Sequence, residues 1–393
     1  MEQILEKTAF GQGAARSDIA IIGGGIIGLS IGWRLARRGL SVTIFERDVY
    51  ACGATRAATG MLAAATEVEP GEDDLLPLTL ESQRLWPDFA RLLEEESGET
   101  IDYRSEGTLV VALSRDEVDR LRFRHELQKR LGLDTVWLSG SAAREREPGL
   151  RPNVAGAIFT EGDHQVDPRR VARALAKAFQ KAGGVLREHL PVEALERSGG
   201  RVTGVITAEG AHHADTVIVC SGAWSGQMEL APGLKLPVRP LKGQSLALRM
   251  DPRMPALTHI VWTEQIHLAP KGDGRLIVGA SVEEKGFDTQ NTAGALLALL
   301  DAAHRVLPSM EELAIDEFWT GFRPTSTDDA PIFGDVGVDG LLVATGHHRN
   351  GILLAPVTAR ALENLVTEGR FDGPEAAFTL QRFGRNMASA QGF

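Results

Sequence analysis

The sequence predicts an α/β protein in which a domain built on a parallel sheet is interleaved with a second, α+β domain built on an antiparallel sheet. The first observation is a β-α-β pattern within residues 19–45. The second is a change over residues 241–282 to short strands interrupted by proline and glycine, which is typical of antiparallel sheets. A strand, a glycine turn and a helix follow over residues 340–367, so the chain returns to its first domain.

The β-α-β pattern begins with an apolar run at residues 19–22, which has the composition of a buried parallel strand. A glycine-rich turn follows, and then Ile27, Ile31 and Leu35 recur at the four-residue spacing of a buried helix face. Residues 42–45 form the second apolar strand. Because parallel neighbours need a crossover between them, this unit indicates the parallel sheet.

The other helices and strands are predicted from apolar spacing and from turn residues. Asp167 followed by Pro168 indicates the capped start of a helix. We predict helices at residues 75–98, 115–130 and 167–182, and strands at residues 107–113, 202–207 and 216–220.

The changes of pattern also predict how the chain is divided. At 393 residues the chain exceeds the usual size of one hydrophobic core, which favours two domains. The expected division is an N-terminal extension at residues 1–17, a first domain from residues 18–100, 155–240 and 315–393, and a second domain from residues 101–154 and 241–314.

Composition excludes several classes of partner. The chain has 53 acidic and 42 basic residues and a net charge of −11, which disfavours nucleic acid and anionic membranes as partners. It has no apolar run of about 18 residues, so no membrane span is expected, and its start does not have the pattern of a secretory signal. The two cysteines, Cys52 and Cys220, form no disulfide framework, and we therefore expect a cytoplasmic protein.

Residues 23–28, Gly-Gly-Gly-Ile-Ile-Gly, follow the first strand and fit the G-x-G-x-x-G pattern of Rossmann-like dinucleotide-binding domains. In this pattern the glycines allow a tight turn, close approach of a pyrophosphate and close packing of helix on strand. The helix amino end then binds the pyrophosphate. Glu46 ends the second strand, where a carboxylate accepts hydrogen bonds from ribose hydroxyls. The pattern predicts a dinucleotide site but does not distinguish FAD from NAD.

Later segments of the chain have a more specific pattern. Two of them are Arg-Ala-Ala-Thr-Gly-Met-Leu at residues 56–62 and Gly-His-His-Arg-Asn-Gly-Ile-Leu-Leu-Ala-Pro at residues 346–356. The others lie at residues 219–225, 240–244, 274–280 and 318–324. Together these segments closely resemble the glycine oxidases of the D-amino-acid oxidase and sarcosine oxidase family of FAD-dependent enzymes. The resemblance extends from about residue 19 to residue 366.

The resemblance implies that the first domain binds FAD and that the second binds the substrate. Residues 346–353 would direct a helix amino end at the flavin, where its dipole stabilises negative charge. Sarcosine oxidases attach flavin through a late cysteine, but no cysteine follows Cys220 here, so FAD is expected to be non-covalent. The residues implied to bind FAD are Gly23, Gly25, Ile26, Ile27, Gly28, Glu46, Arg56, Ala57, Thr59, Gly60, Met61, Val192, Ser221, Gly222, Trp224, Arg323, His348, Arg349, Asn350, Gly351, Ile352 and Leu353.

The resemblance also implies the chemistry. Arg323 would hold a substrate carboxylate with two hydrogen bonds and so place the Cα–H over flavin N5, with Arg349 as a second active-site arginine. The implied reaction is oxidative deamination of glycine, another small amino acid or an N-alkyl glycine. Hydride passes from Cα to the flavin, the imine hydrolyses to an oxo acid and ammonia, and O2 reoxidises the flavin to give H2O2. The same resemblance implies a role in thiamine biosynthesis and a homo-oligomer, with tetramers occurring in the family.

Three positions depart from the family pattern. His267 stands where the family has a tyrosine that helps to hold the carboxylate, Val282 where a methionine is usual, and His348 where an aromatic residue is usual. His267 is expected to bind the carboxylate, to sense protonation near its ordinary pKa of about 6.5, or to be a strand histidine without a role. His348 faces the flavin or points outward. These departures leave sarcosine, a D-amino acid or a larger N-alkyl glycine open as substrates.

Two further alternatives stay open. The chain could be a dehydrogenase that passes electrons to a quinone or to a protein instead of O2. It could also be a flavin-binding protein without turnover, although Arg323 and Arg349 argue against that. The histidines do not have metal-ligand spacing, so no metal is expected.

Overall fold

Two eight-stranded sheets organise residues 15–384, the part of the chain that this computed structural model describes. The helices are α1 (Ile26–Arg37), α2 (Ala54–Ala57), α3 (Ala64–Glu67), α4 (Leu76–Ser97), α5 (Arg115–Arg130), α6 (Gly140–Arg146), α7 (Pro168–Lys181), α8 (Ala293–Val306) and α9 (Ala355–Glu368). Short 3₁₀ turns lie at Gly222–Gln227, Pro308–Glu312, His348–Asn350, Pro374–Phe378 and Leu380–Phe383.

The strands are β1 (Ala15–Ile22), β2 (Val42–Phe45), β3 (Met61–Leu62), β4 (Thr108–Ala112), β5 (Val136–Ser139), β6 (Gly156–Thr160), β7 (His164–Gln165), β8 (Val185–Arg187), β9 (Val192–Ser198), β10 (Arg201–Thr207), β11 (Gly210–Val219), β12 (Glu229–Ala231), β13 (Leu234–Lys235), β14 (Val238–Arg249), β15 (Ile260–Trp262), β16 (His267–Pro270), β17 (Arg275–Gly279), β18 (Ala314–Ser326), β19 (Ile332–Asp335) and β20 (Leu341–Thr345).

The first sheet has the order β19-β20-β11-β1-β2-β8, and β10 and β9 extend it from β11. Strands β20, β11, β1, β2 and β8 are parallel neighbours, whereas β19, β10 and β9 pair in the antiparallel sense. Helices α1, α7 and α9 pack together over one face through fully buried side chains such as Ile31, Phe179 and Leu362. Burial on both faces explains why the parallel strands are continuous apolar runs. The predicted α/β class is confirmed.

The second sheet has the order β18-β14-β17-β16-β15-β4-β6-β5, and only its β15–β4 pair is parallel. Its longest ladder joins β14 to β18, with Gly243 opposite Gly321 and Leu241 opposite Arg323. Helix α8 packs on this sheet, where Leu246, Leu268 and Leu276 are fully buried. The antiparallel sheet predicted for residues 241–282 is therefore present.

Sheet membership differs from the predicted division of the chain at both ends of the second domain. Strands β6 and β18 join the second sheet, although residues 155–240 and 315–393 were predicted to belong to the first domain. Both strands pair with antiparallel neighbours that sequence patterning does not identify. The strand β1 begins at Ala15, inside the predicted extension at residues 1–17, because Ala15, Arg16 and Ser17 continue its parallel ladder with β11. Residues 1–14 of that extension lie outside the described residues.

The predicted helices agree closely with the structure. Helix α7 begins after Asp167, whose Oδ1 accepts hydrogen bonds from the backbone N–H groups of Arg169 at 2.9 Å and Arg170 at 3.3 Å. This is the expected capping arrangement, with Pro168 in the first turn. No helix within residues 15–384 is both long and apolar enough to cross a membrane.

A buried carboxylate beside α9 makes the stability depend on pH. Glu375 is fully buried, and neither of its carboxylate oxygens has a hydrogen-bond partner within residues 15–384. Burial raises the pKa of Glu375 above its ordinary value of 4.5. A carboxyl group whose pKa is higher in the folded than in the unfolded protein stabilises the fold at pH values below its unfolded-state pKa. This stabilisation is lost as the pH rises through its folded-state pKa.

We therefore expect Glu375→Gln to melt at a higher temperature than the wild type at about pH 8, by at least about 2 °C, the shift for roughly 1 kcal/mol in a large domain. At about pH 4 the two proteins should melt together, because the wild-type carboxyl is then neutral. Glu368→Gln is the control, since Glu368 is exposed and pairs only loosely with Arg370 at 3.7 Å. Equal melting temperatures at both pH values would contradict the assignment. The measurement is thermal unfolding followed by circular dichroism.

Candidate cofactor and substrate site

One large cavity of about 1350 Å³ lies between the two sheets. On one side it is lined by residues at the carboxyl ends of β1 and β2, Ile22 and Phe45. On the other it is lined by the second sheet, including His267 of β16 and Arg323 of β18. Ligands of open α/β sheets bind beyond the carboxyl ends of the strands, so this cavity is the candidate site.

The glycine turn after β1 brings the backbone to the cavity wall. Gly23 has a φ of +110°, and a Cβ there would lie 2.4 Å from the carbonyl oxygen of Cys220. A Cβ on Gly28 would lie 2.1 Å from the carbonyl oxygen of Gly23, so only glycine lets α1 approach the strand this closely. Both positions therefore require glycine for the reasons that the sequence pattern indicates.

The amino end of α1 is suited to an anion. Its cap, Gly25, has no side chain to bond the first-turn N–H groups, and the first turn contains no acidic residue. The N–H of Ile26 is bonded to Thr55 Oγ1 at 3.0 Å. A pyrophosphate is the ligand that a bare helix amino end accepts. The residues present thus fit the phosphate portion of a dinucleotide.

Glu46 lies beside this cradle and lines the cavity. Its Oε2 accepts a hydrogen bond from the Gly24 N–H at 2.8 Å, and its Oε1 accepts one from the Asp48 N–H at 3.0 Å. These bonds hold the carboxylate still, and each oxygen has further acceptor capacity for a ribose hydroxyl. Nearby, the Arg47 guanidinium stacks 3.7 Å above the Trp224 ring, which forms an outer wall of the same region.

Most of the residues predicted to bind cofactor share this cavity. Those that line it are Gly23, Gly25, Ile26, Ile27, Glu46, Ala57, Thr59, Gly60, Met61, Val192, Ser221, Gly222, Trp224, Arg323, His348, Arg349, Gly351 and Ile352. Gly28 does not line it and acts through packing. Contact of these residues with FAD stays a prediction.

Three of the residues predicted to bind FAD face elsewhere. Arg56 is half-exposed and pairs with Glu317 at 2.7 Å, because α2 packs against β18. Asn350 and Leu353 are buried beneath the turn that precedes α9. The Leu353 carbonyl accepts a hydrogen bond from the indole of Trp86 at 2.8 Å. The predicted helix start is also corrected: residues 348–350 form a 3₁₀ turn, and α9 begins only at Ala355.

Arg323 extends across β14 into the cavity. Its guanidinium lies over Gly243, where a Cβ would be 2.5 Å from Nη1, so the glycine of β14 makes room for it. Nη1 donates to the carbonyl oxygen of Ser281 at 3.2 Å. No carboxylate among residues 15–384 forms an ion pair with Arg323, and burial lowers its pKa. An unneutralised, partly buried guanidinium of this kind is a binding group for an anionic ligand.

Arg349 lines the same cavity but is already neutralised. Its Nη2 lies 2.6 Å and 2.7 Å from the two carboxylate oxygens of Glu72, and its Nε lies 3.2 Å from Glu67 Oε2. These acids come from α3 and from the turn after it, which the sequence does not show to be near Arg349. Arg349 is thus a weaker candidate than Arg323 for binding a substrate carboxylate.

His267 and His348 both line the cavity. His267 Nε2 is 2.7 Å from Thr59 Oγ1, and His348 Nδ1 is 3.0 Å from Thr325 Oγ1. Burial, together with the positive charges of Arg323 and Lys271, lowers the pKa of His267 to about 3. Burial and neighbouring arginines do the same for His348, whose pKa is about 3. The His348 side chain does not point outward, since only 11% of it is exposed. For His267 the lowered pKa disfavours the titration near 6.5.

We expect the His267 ring to stay neutral between about pH 5 and pH 8, the range in which an ordinary histidine titrates. The measurement is NMR of the ¹⁵N-labelled histidine rings, with the His267 signals assigned from their loss in the His267→Gln variant. His213 serves as the control, since it is partly exposed and 2.7 Å from Glu196. A His267 signal that titrates in this range would show that the ring is in contact with water.

Sequence reasoning did not identify Glu67, a buried acid of α3 that lines the cavity. The sequence does contain one indication of it: Glu67 is the single charged residue in residues 62–68, where the other residues are apolar or small. An isolated acid in such a stretch is rare unless it is paired or functional.

The parallel sheet, the glycine cradle with its acid and the adjoining cavity with a free guanidinium define a dinucleotide-dependent oxidoreductase. Residues 18–365 match the family described as FAD dependent oxidoreductase, and the chain belongs to that family. Its cofactor is accordingly FAD. When bound, FAD supplies a redox ring that takes up two electrons.

Comparison with individual proteins agrees with this assignment. The chain is 36% identical to the glycine oxidase of Geobacillus kaustophilus, over 94% of this chain and 96% of that protein. The crystal structure of that oxidase superimposes with a TM-score of 0.88, at 35% identity, over 94% of this chain and 99% of that chain. The structure of an iminodiacetate oxidase from Chelativorans sp. BNC1 has a TM-score of 0.84 at 28% identity, over 92% of this chain and 98% of that one.

A longer relative is the bifunctional protein ThiO/ThiG of Synechocystis sp., 36% identical over 93% of this chain and 54% of that protein. The chain spans about half the length of this relative and of two similar bifunctional ones.

Proposed function

We propose that the protein oxidises glycine, or another small amino acid or N-alkyl glycine, to the corresponding imine. The observation that carries this proposal is Arg323, which has no carboxylate partner among residues 15–384 and lines the cavity that also contains the dinucleotide cradle. A carboxylate is the natural ligand of such a group. Similarity to glycine oxidase over nearly the full length of both chains supports the choice of glycine.

The residues of the chain would act mainly by positioning the substrate. Arg323 would hold the substrate carboxylate through two parallel hydrogen bonds, which restricts both the place and the orientation of Cα. The neutral His267, fixed by Thr59 at 2.7 Å, would close the pocket without adding charge. Hydride loss from Cα requires no base at carbon, and none is proposed. The imine then hydrolyses to an oxo acid and ammonia.

The width of the pocket decides between glycine and larger amines. Val282 lines the cavity and is 69% exposed, so the wall near the entrance is open at this point. An opening there leaves space for a substituent on the substrate nitrogen. We therefore include N-alkyl glycines in the proposal, and similarity to an iminodiacetate oxidase supports that choice.

We further propose that O2 is the electron acceptor and that the enzyme is cytoplasmic, as expected for a chain whose two cysteines are unpaired. A role in thiamine biosynthesis is supported by the bifunctional ThiO/ThiG relatives. A homo-oligomer is proposed by family resemblance alone.

The test is a screen of glycine, sarcosine, iminodiacetate and D-alanine against the FAD-loaded protein without oxygen, with flavin absorbance as the signal. We expect glycine or an N-alkyl glycine to bleach the flavin. Air and a soluble quinone are then supplied separately to the reduced protein. Rapid recovery with peroxide formation in air supports the oxidase, whereas recovery only with quinone indicates a dehydrogenase. A flavin that none of the amines bleaches would contradict the proposed function.

A further inference from the structure

Glu67 is a buried acid on the wall of the cavity, and one of its carboxylate oxygens has no hydrogen-bond donor within residues 15–384. It ends α3, is only 8% exposed, and lines the same cavity as Arg323. Its Oε2 accepts no hydrogen bond from any residue between 15 and 384. Leaving a buried carboxylate oxygen without a donor is costly, so such atoms usually have a partner. The cavity is the place from which a partner can come.

The charged groups around Glu67 do not satisfy it. Arg349 Nε is 3.2 Å from Oε2 but is not aligned for a hydrogen bond, and the same guanidinium donates to Glu72. Arg124 donates to a backbone carbonyl instead, while Asp163 and Glu72 add negative charge nearby. Burial is the main cause that raises the pKa of Glu67 to about 7, with the two arginines acting in the opposite direction.

Glu67 and Arg323 line the same cavity, and the charge of Glu67 acts to raise the pKa of Arg323. The cavity therefore presents an acid and a guanidinium, both without a full partner. An amino acid in neutral water carries an ammonium group and a carboxylate, which are the complementary charges. This pair of groups matches a zwitterion better than a simple carboxylic acid.

We propose that Glu67 binds the ammonium group of the substrate and accepts one of its protons while Arg323 holds the carboxylate. This inference rests on the proposed function. An ammonium nitrogen has no lone pair with which to form the C=N bond of an imine, so one proton must leave before Cα can lose hydride. In this step an N–H bond breaks, its electron pair stays on nitrogen, and the proton forms an O–H bond with Glu67. A carboxylate whose proton affinity matches neutral pH is an effective acceptor.

The test compares two ligands, glycine and acetate, which share the carboxylate but differ in the amine. Without oxygen, the affinity of the FAD-loaded protein for glycine is obtained from the dependence of the flavin-bleaching rate on glycine concentration, and the affinity for acetate, which does not react, from perturbation of the flavin spectrum. In Glu67→Gln we expect the affinity for glycine to fall by about tenfold or more, the loss expected for a charged hydrogen bond. The affinity for acetate should stay the same or rise, because only a negative charge has been removed.

The pH dependence provides a second readout. Because the pKa of Glu67 is raised to about 7, its charged form becomes available as the pH rises through that value. Glycine affinity in the wild type should therefore increase over this interval, and the increase should be absent in Glu67→Gln. A purely structural role would not produce this difference.

Glu72→Gln is the matched control. Glu72 pairs with the same arginine at 2.6 Å but does not line the large cavity. The ratio of glycine to acetate affinity should stay at its wild-type value in this variant. The role of Glu67 would be overturned if Glu67→Gln left the ratio of glycine to acetate affinity unchanged, because both affinities then stay the same or fall equally. It would also be overturned if Glu72→Gln changed this ratio as much as Glu67→Gln does. If the wild type responds neither to glycine nor to any other amine of the screen, the proposed function fails instead, and the inference with it.

Discussion

Arg323→Ala should lower the affinity for carboxylate ligands by about 10-fold to 150-fold, the range expected when a hydrogen bond to a charged group is lost. The reason is that Arg323 lines the cavity and forms no ion pair with any acid between residues 15 and 384. Both glycine and acetate should be affected, because both carry the carboxylate. This pattern differs from that expected for Glu67→Gln, which should weaken the binding of glycine but not that of acetate. The concentration dependence of anaerobic bleaching measures the effect for glycine, and equilibrium titration measures it for acetate.

Arg323→Lys separates charge from geometry. Lysine keeps the positive charge but cannot form two parallel hydrogen bonds. Compared with Arg323→Ala, we therefore expect Arg323→Lys to regain part of the affinity for carboxylate ligands and a smaller part of the turnover rate. Arg249→Ala is the control, because Arg249 lies on the same β14–β18 ladder but is half-exposed and pairs with Asp316 at the surface. Acetate affinity in Arg323→Ala equal to that of the wild type would show that the carboxylate binds elsewhere.

Gly28→Ala should release FAD and destabilise the first domain. The added Cβ would lie 2.1 Å from the backbone oxygen of Gly23, well inside the 3.0 Å that real Cβ contacts essentially never cross. Helix α1 must then move away from β1, and its amino end moves with it. Such overpacking costs about 1–3 kcal/mol in typical cores. FAD retention after gel filtration and the melting temperature of the FAD-free protein measure the two effects.

Gly294→Ala serves as the control, since a Cβ on that α8 residue meets no atom within 4 Å. Alanine also suits a helix better than glycine. The control should therefore retain FAD and melt no lower than the wild type. A Gly28→Ala protein that binds FAD as tightly as the wild type would show that close packing of α1 on β1 is not needed for the cradle.

Much of the fold could be predicted because its signals are local. Gly28, for example, is required by its close approach to Gly23, which lies in the same β-α-β unit. The cap at Asp167 and the apolar face of α7 are also local. Arg323 could be proposed as a site residue because residues 318–324 are one of the six segments that together resemble a known family.

The remaining features depend on contacts between distant segments. Arg349 seemed free for a ligand, yet Glu72, 277 positions earlier, neutralises it. Strands β6 and β18 pair with partners that their own sequences do not indicate, so their membership of the second sheet could not be predicted. Glu67 belongs to no motif, and its lack of a donor becomes visible only when the cavity is formed. His267 could be located in the pocket but not assigned a charge, because its low pKa depends on burial.

The central claim is that the cavity binds FAD beside an arginine-bound amino acid and thereby allows loss of hydride from Cα. Its most direct measurement is anaerobic mixing of the FAD-loaded protein with glycine and with α-deuterated glycine, followed by flavin absorbance. We predict that glycine bleaches the flavin and that deuterium slows the bleaching. Protein that does not retain added FAD, or that stays fully yellow with glycine and with each N-alkyl glycine, would contradict the claim.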